Sequence, residues 1–278
     1  HDLMEAAVNL AKESDATILI VGTNSDWETE GNDRDSLLLP LKQNELIEKV
    51  CEANKNTVVV LNTGAPCEMP WNDHAEAILQ CWFPGQEFGN SLADIIFGNV
   101  NPSGKLPTTF PVKLQDTPAH STYPGKDLQM DYEEGQYIGY RWYEREKITP
   151  LYPFGHGLSY TSFSYSGVRA IPPKGTSSVA AFEIEITNTG DIEGKEVVQC
   201  YASVQNSKID RPLKELKKFQ KINLAPGESK KIIFEVNERD LSYWNVETKT
   251  WQVEPAQYIF EFGSSSADIH GSAEVWLG

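Results

Sequence analysis

Ala16-Thr17-Ile18-Leu19-Ile20-Val21 reads as a strand, and Trp27-Glu28-Thr29-Glu30-Gly31-Asn32-Asp33-Arg34 reads as the loop that follows it. The apolar run is unbroken, the pattern of a strand covered on both faces. The loop packs three carboxylates and a guanidinium into eight residues. In an open α/β sheet, loops leaving the carboxyl ends of strands are where ligands are handled. A carboxylate next to Trp27 and Gly31 is therefore a candidate general acid. The same residues also suit a solvated acidic loop with an internal Asp33–Arg34 pair, and by themselves they leave both readings open.

Outward from this point the pattern is α/β. Asp2-Leu3-Met4-Glu5 has the form of a capping box, and Ala6, Ala7, Leu10 and Ala11 then share a helical face. A second helical pattern begins at Pro40 with Leu41, Leu46, Ile47 and Val50. Thr57 to Leu61 predicts a second buried strand, ending at Asn62-Thr63-Gly64, and Ala77 to Trp82 a third. Gln86 to Phe97 predicts a helix stopped by Gly98. Doubly wound sheets usually hold five or six strands. Three are visible here, so further strands are expected upstream of His1, because a short remnant would expose a long edge.

From Asn101 to about Phe163 the chain is rich in Pro, Gly and Tyr and shows little periodicity. Such a stretch is usually functional or wraps another surface. Beyond it the period changes to two. Ala181 to Ile186, Glu196 to Ala202, Lys230 to Val236 and Gln257 to Phe262 alternate as strands, separated by turn signals such as Asn188-Thr189-Gly190 and Ala225-Pro226-Gly227. This predicts an immunoglobulin-like antiparallel sandwich. The expected division is 1–115 for the α/β part, 116–167 for an irregular connecting segment and 168–278 for the sandwich. The fold class is thus α/β plus all-β.

Composition bounds the function. The 278 residues are 40% hydrophobic and 23% charged, ordinary for a globular chain. A net charge of −16 argues against nucleic acid and anionic membranes, which need a basic face. No apolar run approaches the ~20 residues of a membrane helix. Cys51, Cys67, Cys81 and Cys200 have neither metal spacing nor the density of a disulfide framework, and three of them lie in or beside apolar segments as buried thiols. The one Asn-x-Ser match, Asn101-Pro102-Ser103, is disqualified by its proline. His1 is neither an initiator methionine nor part of a signal peptide, which reads as an internal fragment. Cytoplasmic, periplasmic and secreted locations all stay open.

Four ordered blocks carry a resemblance. They are Glu30-Gly31-Asn32-Asp33-Arg34 with Leu39-Pro40; Trp82-Phe83-Pro84-Gly85-Gln86-Glu87 with Asn101-Pro102-Ser103-Gly104-Lys105-Leu106-Pro107; Tyr132-Glu133-Glu134-Gly135 with Gly139-Tyr140-Arg141; and Pro153-Phe154-Gly155-His156-Gly157-Leu158-Ser159-Tyr160-Thr161. Together they resemble the C-terminal portion of glycoside hydrolase family 3, the β-glucosidase family, across essentially the whole chain. The resemblance implies an upstream barrel that holds the nucleophilic Asp, an α/β sandwich domain that supplies the acid/base Glu, and a fibronectin type III-like domain. The implied partners are that barrel portion, on the same precursor or a separate chain, and a β-glucoside or oligosaccharide substrate. Self-association stays open. No cofactor is implied.

Retaining glycosidases work with two carboxyls about 5–5.5 Å apart. One attacks the anomeric carbon, and the other protonates the leaving oxygen and then deprotonates water. The Glu-Gly step aligns Glu30 with the family's acid/base, with Glu28 as the alternative two residues away. Gly31 would allow an unusual backbone that brings the carboxyl to the sugar. Trp27 serves either as a wall of the aglycone subsite or as an anchor of the loop. Asp33 and Arg34 are expected to orient the loop as a pair. The His156 block could shuttle protons, but the resemblance makes it a structural turn between the domains, and Glu133, Glu134 and Arg141 are likewise assigned to structure. His74 and His120 have no partners at metal spacing, so no metal site is expected. Asp15, Asp26, Asp73 and Asp94 fall in the wrong part of the pattern for a nucleophile. The chain would then be inactive by itself. A related exo-glycosidase such as a β-xylosidase, and a non-catalytic carbohydrate-binding or scaffolding module, are the alternatives.

Overall fold

The computed structural model describes residues 3–31 and 33–278, so the capping box expected at Asp2 and the loop residue Asn32 lie outside the described residues. The chain divides into two units, one of residues 1–93 and 110–120 and one of 94–109 and 121–278. No helix among the described residues is long and apolar enough to cross a membrane.

The first unit alternates helix and strand as expected: α1 (Leu3–Glu13), β1 (Thr17–Gly22), α2 (Gln43–Ala53), β2 (Thr57–Asn62), β3 (Ala77–Gln80) and the start of α3 (Phe88–Ile96). Among the described residues the sheet runs β1-β2-β3, all parallel, with Thr17 opposite Thr57 and Val58 opposite Ala77. β2 is central, which is why Val59, Val60 and Leu61 are fully buried. β1 departs from its reading as a doubly covered strand. It is an edge strand whose Ile18 and Ile20 are 47% and 53% exposed. The face of α1 also differs: Met4, Ala7, Val8 and Ala11 turn inward, while Leu10 is exposed. Both sets recur at helical spacing, and packing against α2 selects the one that includes Val8. Asn54 at the end of α2 ties the two helices, donating to Ala11 O and Ser14 O. α2 itself starts later than Pro40 suggests, because Leu41 adopts φ 57° and points to solvent. Gly98, at φ 75°, ends α3 as expected.

The second unit centres on a β-sandwich. β4 (Phe163–Ile171), β5 (Ser178–Asn188) and β8 (Ser229–Asn237) form one antiparallel sheet in the order β4-β5-β8. β6 (Gly194–Val204), β7 (Glu215–Leu224), β11 (Ala256–Gly263) and β12 (Ile269–Leu277) form the other, in the order β12-β11-β6-β7. This is a fibronectin type III-like arrangement. Inward residues of both sheets make its core, with Phe182 between Phe260 and Phe262 at ring-centre distances of 4.3 and 5.5 Å. A short helix α5 (Glu238–Leu241) follows β8, closed by a capping box of Asn237 and Asp240. The hairpin β9 (Tyr243–Asn245) and β10 (Thr250–Gln252) then sets Trp244 edge-on to Trp251. The segment that looked irregular contains α4 (Tyr140–Glu146), anchored by Arg141 on Glu215 at 3.0 Å and by Leu216 N donating to Tyr140 Oη.

The Gly- and Pro-rich blocks are bound into this second unit. Leu106 N donates to His156 O and Gly155 N to Leu106 O, both at 2.8 Å. Lys105 Nζ reaches Gly157 O and, at 3.1 Å, the buried Glu196 of β6. Gln199 Nε2 donates to Gly155 O and Ser264 O. Gly155, at φ 82°, leaves no room there: a Cβ would stand 2.2 Å from Gln199 Oε1.

Candidate active site

The carboxyl ends of β1 and β2 meet in register, Gly22 beside Asn62. Thr23 N continues the ladder by donating to Asn62 O, and Cys81 N, just past β3, donates to Leu61 O. Gln43 grips Gly22 with two bonds, accepting from its N–H and donating to its carbonyl. The chain then turns: Trp27 N and Glu28 N both donate to Asn24 O, and Asp26 N donates to Asn24 Oδ1. This Asx turn, a local bond characteristic of Asn, aims Glu28 back at the sheet.

Glu28 is held there by three groups. Thr23 Oγ1 donates to its Oε1 at 2.5 Å, Gly64 N donates to the same oxygen at 3.1 Å, and Arg34 Nη1 lies 3.8 Å away. Gly64 fits closely under it. A Cβ there would stand 2.2 Å from Glu28 Oε2 and 2.6 Å from the Phe83 ring. Phe83 is itself 54% exposed at the end of β3. Beside it Trp82 takes φ 56°, uncommon for a bulky residue, and its ring meets Phe110 edge-on.

The two candidate carboxylates thus have different settings. Glu28 is partly buried and engaged, whereas Glu30 is exposed, and among the described residues its carboxylate has no partner. Trp27 is 43% exposed two positions before Thr29. Arg34 pairs with Glu28 rather than with Asp33, which faces solvent; this corrects the expected Asp33–Arg34 pair, because the cradled carboxylate offers a less hydrated partner. Gly31 is also corrected: its φ is not in the left-handed region and a Cβ there would meet nothing within 4 Å. The positive charge of Arg34 is felt by Cys67 too, whose thiol burial pushes up to about 12 despite Arg34.

Thr23, Gly64, Trp82 and Phe83 join this region in the fold although no local sequence pattern ties them to the acidic loop. Asn62-Thr63-Gly64 read only as a strand end, and Thr23 lies just before the acidic loop. Their meeting depends on the parallel register of β1, β2 and β3, which sequence spacing does not display. Elsewhere, in the second unit, a groove of about 410 Å³ is lined by residues including Thr109, Tyr140, Glu144 and Lys214. Burial there holds the Glu144 carboxyl above the usual range.

Comparison with known proteins places the chain in a family. Residues 1–160 match the Glycosyl hydrolase family 3 C-terminal domain, and residues 196–266 match a fibronectin type III-like domain. The chain is 43% identical to thermostable β-glucosidase B of Acetivibrio thermocellus over 271 residues, covering 97% of this chain and 36% of that protein. The crystal structure of a β-glucosidase from Kluyveromyces marxianus in complex with glucose superposes with a TM-score of 0.92 at 42% identity, covering 99% of this chain and 33% of that one. The Bifidobacterium adolescentis family 3 β-glucosidase gives 0.93 at 41%, covering 99% and 41%. The chain therefore spans about a third of the length of the curated relatives it matches. It belongs to glycosyl hydrolase family 3, of which it carries the C-terminal domain and the fibronectin type III-like domain that follows.

Proposed function

We propose that this chain is the acid/base-bearing part of a retaining, exo-acting β-glucosidase that removes terminal β-D-glucosyl residues. The observation that carries the assignment of the proton donor is the contrast within the loop: Glu28 is committed to Thr23, Gly64 and Arg34, while Glu30 is presented to solvent. A general acid must be free to reach the leaving oxygen. Relatives named as β-glucosidases across nearly the whole chain support the reaction class.

In this reading the Glu30 carboxyl gives its proton to the glycosidic oxygen as that oxygen leaves the anomeric carbon. A nucleophilic Asp in an upstream barrel portion takes the glucosyl group. Glu30, now ionised, then removes a proton from the water that releases glucose. Trp27 offers an apolar ring at the aglycone side. The uncovered Ile18 and Ile20 of β1 support an upstream portion packing on that face.

The test is hydrolysis of an aryl β-glucoside by the full-length enzyme, by its Glu30→Gly variant with and without azide, and by this chain alone. Loss of turnover in Glu30→Gly, with glucosyl azide formed on adding azide, is expected, and the chain alone should be inactive. Full turnover by Glu30→Gly would sink the assignment, and turnover by the isolated chain would sink the split site.

A further inference from the structure

We infer that Glu28 is a positioning residue for the proton donor, holding the Glu30 loop at the ends of β1 and β2; this rests on the reading of Glu30 as the acid/base.

Three observations carry it. First, Glu28 bridges both strand ends, taking a hydrogen bond from Thr23 just past β1 and another from Gly64 just past β2. A solvated surface carboxylate has no need of such partners, and one removed from water needs them. Second, the Glu28–Arg34 pair closes the base of the loop. Glu30 lies between these two residues, so both flanks of its short segment are tied to one point on the sheet. Third, the cradle is shaped for this carboxylate. Gly64 has no side chain where one would strike Glu28 Oε2 and Phe83.

The consequence is kinetic. A loop tied at both flanks visits fewer conformers, so less freedom is lost when the acid meets the leaving oxygen. A misplacement of about 1 Å can cost around 100-fold. Glu28 makes no contact with the leaving group in this scheme. Its effect should therefore scale with how much the leaving group needs the proton.

That scaling is the test, made in the full-length enzyme. Two substrates are compared: phenyl β-glucoside, whose leaving group needs protonation, and 2,4-dinitrophenyl β-glucoside, whose leaving group does not. Glu28→Gln should lower kcat/KM on the phenyl glucoside by roughly 10- to 100-fold, a positioning-sized loss. The dinitrophenyl glucoside should lose far less, and azide should rescue neither. Thr23→Val, which deletes one tether and keeps the carboxylate, should show the same leaving-group dependence with a smaller loss, and guards against Glu28→Gln failing to fold. Equal losses on both substrates would mean that Glu28 only supports the fold, and would overturn this inference while leaving Glu30 as the acid. Azide rescue of Glu28→Gly together with no rescue of Glu30→Gly would make Glu28 the acid/base itself, overturning both readings.

Discussion

Gly64 and Glu28 are so close that a single methyl on Gly64 would stand 2.2 Å from Glu28 Oε2. The backbone there is not in the left-handed region, so the demand for glycine is one of space. Gly64→Ala should destabilise the protein by about 1–3 kcal/mol, the usual penalty of overpacking. Adding Glu28→Ala should recover part of that loss, because one of the two clashing groups is gone while Phe83 stays. Urea unfolding of the two single variants and the double variant measures the coupling. Strictly additive losses would show that the two residues do not share the space described.

The buried Lys105–Glu196 pair makes a second, independent prediction. The ion pair is 3.1 Å long, and the side chains keep 14% and 8% of their exposure. Removing one member leaves the other charged and desolvated, at a cost of about 3–5 kcal/mol. Lys105→Met should therefore be severe. Lys105→Met combined with Glu196→Leu should be milder than Lys105→Met alone, since no uncompensated charge remains. Denaturant midpoints of the three variants would decide, and a double variant worse than the single would refute the argument.

The sandwich shows why some of the fold was readable and some was not. β5, β6, β8 and β11 stood out by alternation, and the first three of these blocks of apolar residues include Ile184, Val198 and Phe234 of the core. β4, β7 and β12 did not stand out, and all three are sheet edges; β8, the fourth edge, stood out because its large residues Ile232, Phe234 and Val236 alternate into the core. Edge strands are blunted by charge and small residues: β7 reads Glu-Leu-Lys-Lys-Phe-Gln-Lys, and β4 and β12 carry Gly167 and Gly271. Their pattern is set by avoiding further pairing, so burial leaves a weaker trace. The site divides in the same way. The candidate carboxylates Glu28 and Glu30 lie within three residues of Trp27, so as candidates they show in the sequence alone. Thr23, Gly64 and Phe83 come from three strand ends and meet only through the sheet.

His156 supplies a pH dependence. Burial, and then the charge of Lys105, lower its pKa below the ordinary 6.5, with Asp268 opposing them. Above pH 6.5 both folded and unfolded forms are neutral, and this contribution to stability is fully present. As pH falls below 6.5 the unfolded chain binds a proton that the folded protein refuses, so stability declines until the folded pKa is reached. His156→Gln should flatten that part of the acid limb. Unfolding free energies between pH 7 and 5 for both proteins provide the check, and identical slopes would show that His156 does not contribute.

Phe182 and Phe219 offer the same residue type in opposite settings within one sandwich. Phe182 is fully buried between Phe260 and Phe262, whereas Phe219 on the edge strand β7 is 66% exposed. Phe182→Ala loses both the transferred area and the packing around the cavity, about 3–5 kcal/mol. Phe219→Ala loses little of either and should stay within about 0.5 kcal/mol. If the sandwich tolerated Phe182→Ala as readily as Phe219→Ala, its two sheets would have to be held by something other than this aromatic layer. Thermal unfolding followed by near-ultraviolet circular dichroism, which reports the packing of these rings, separates the two cases.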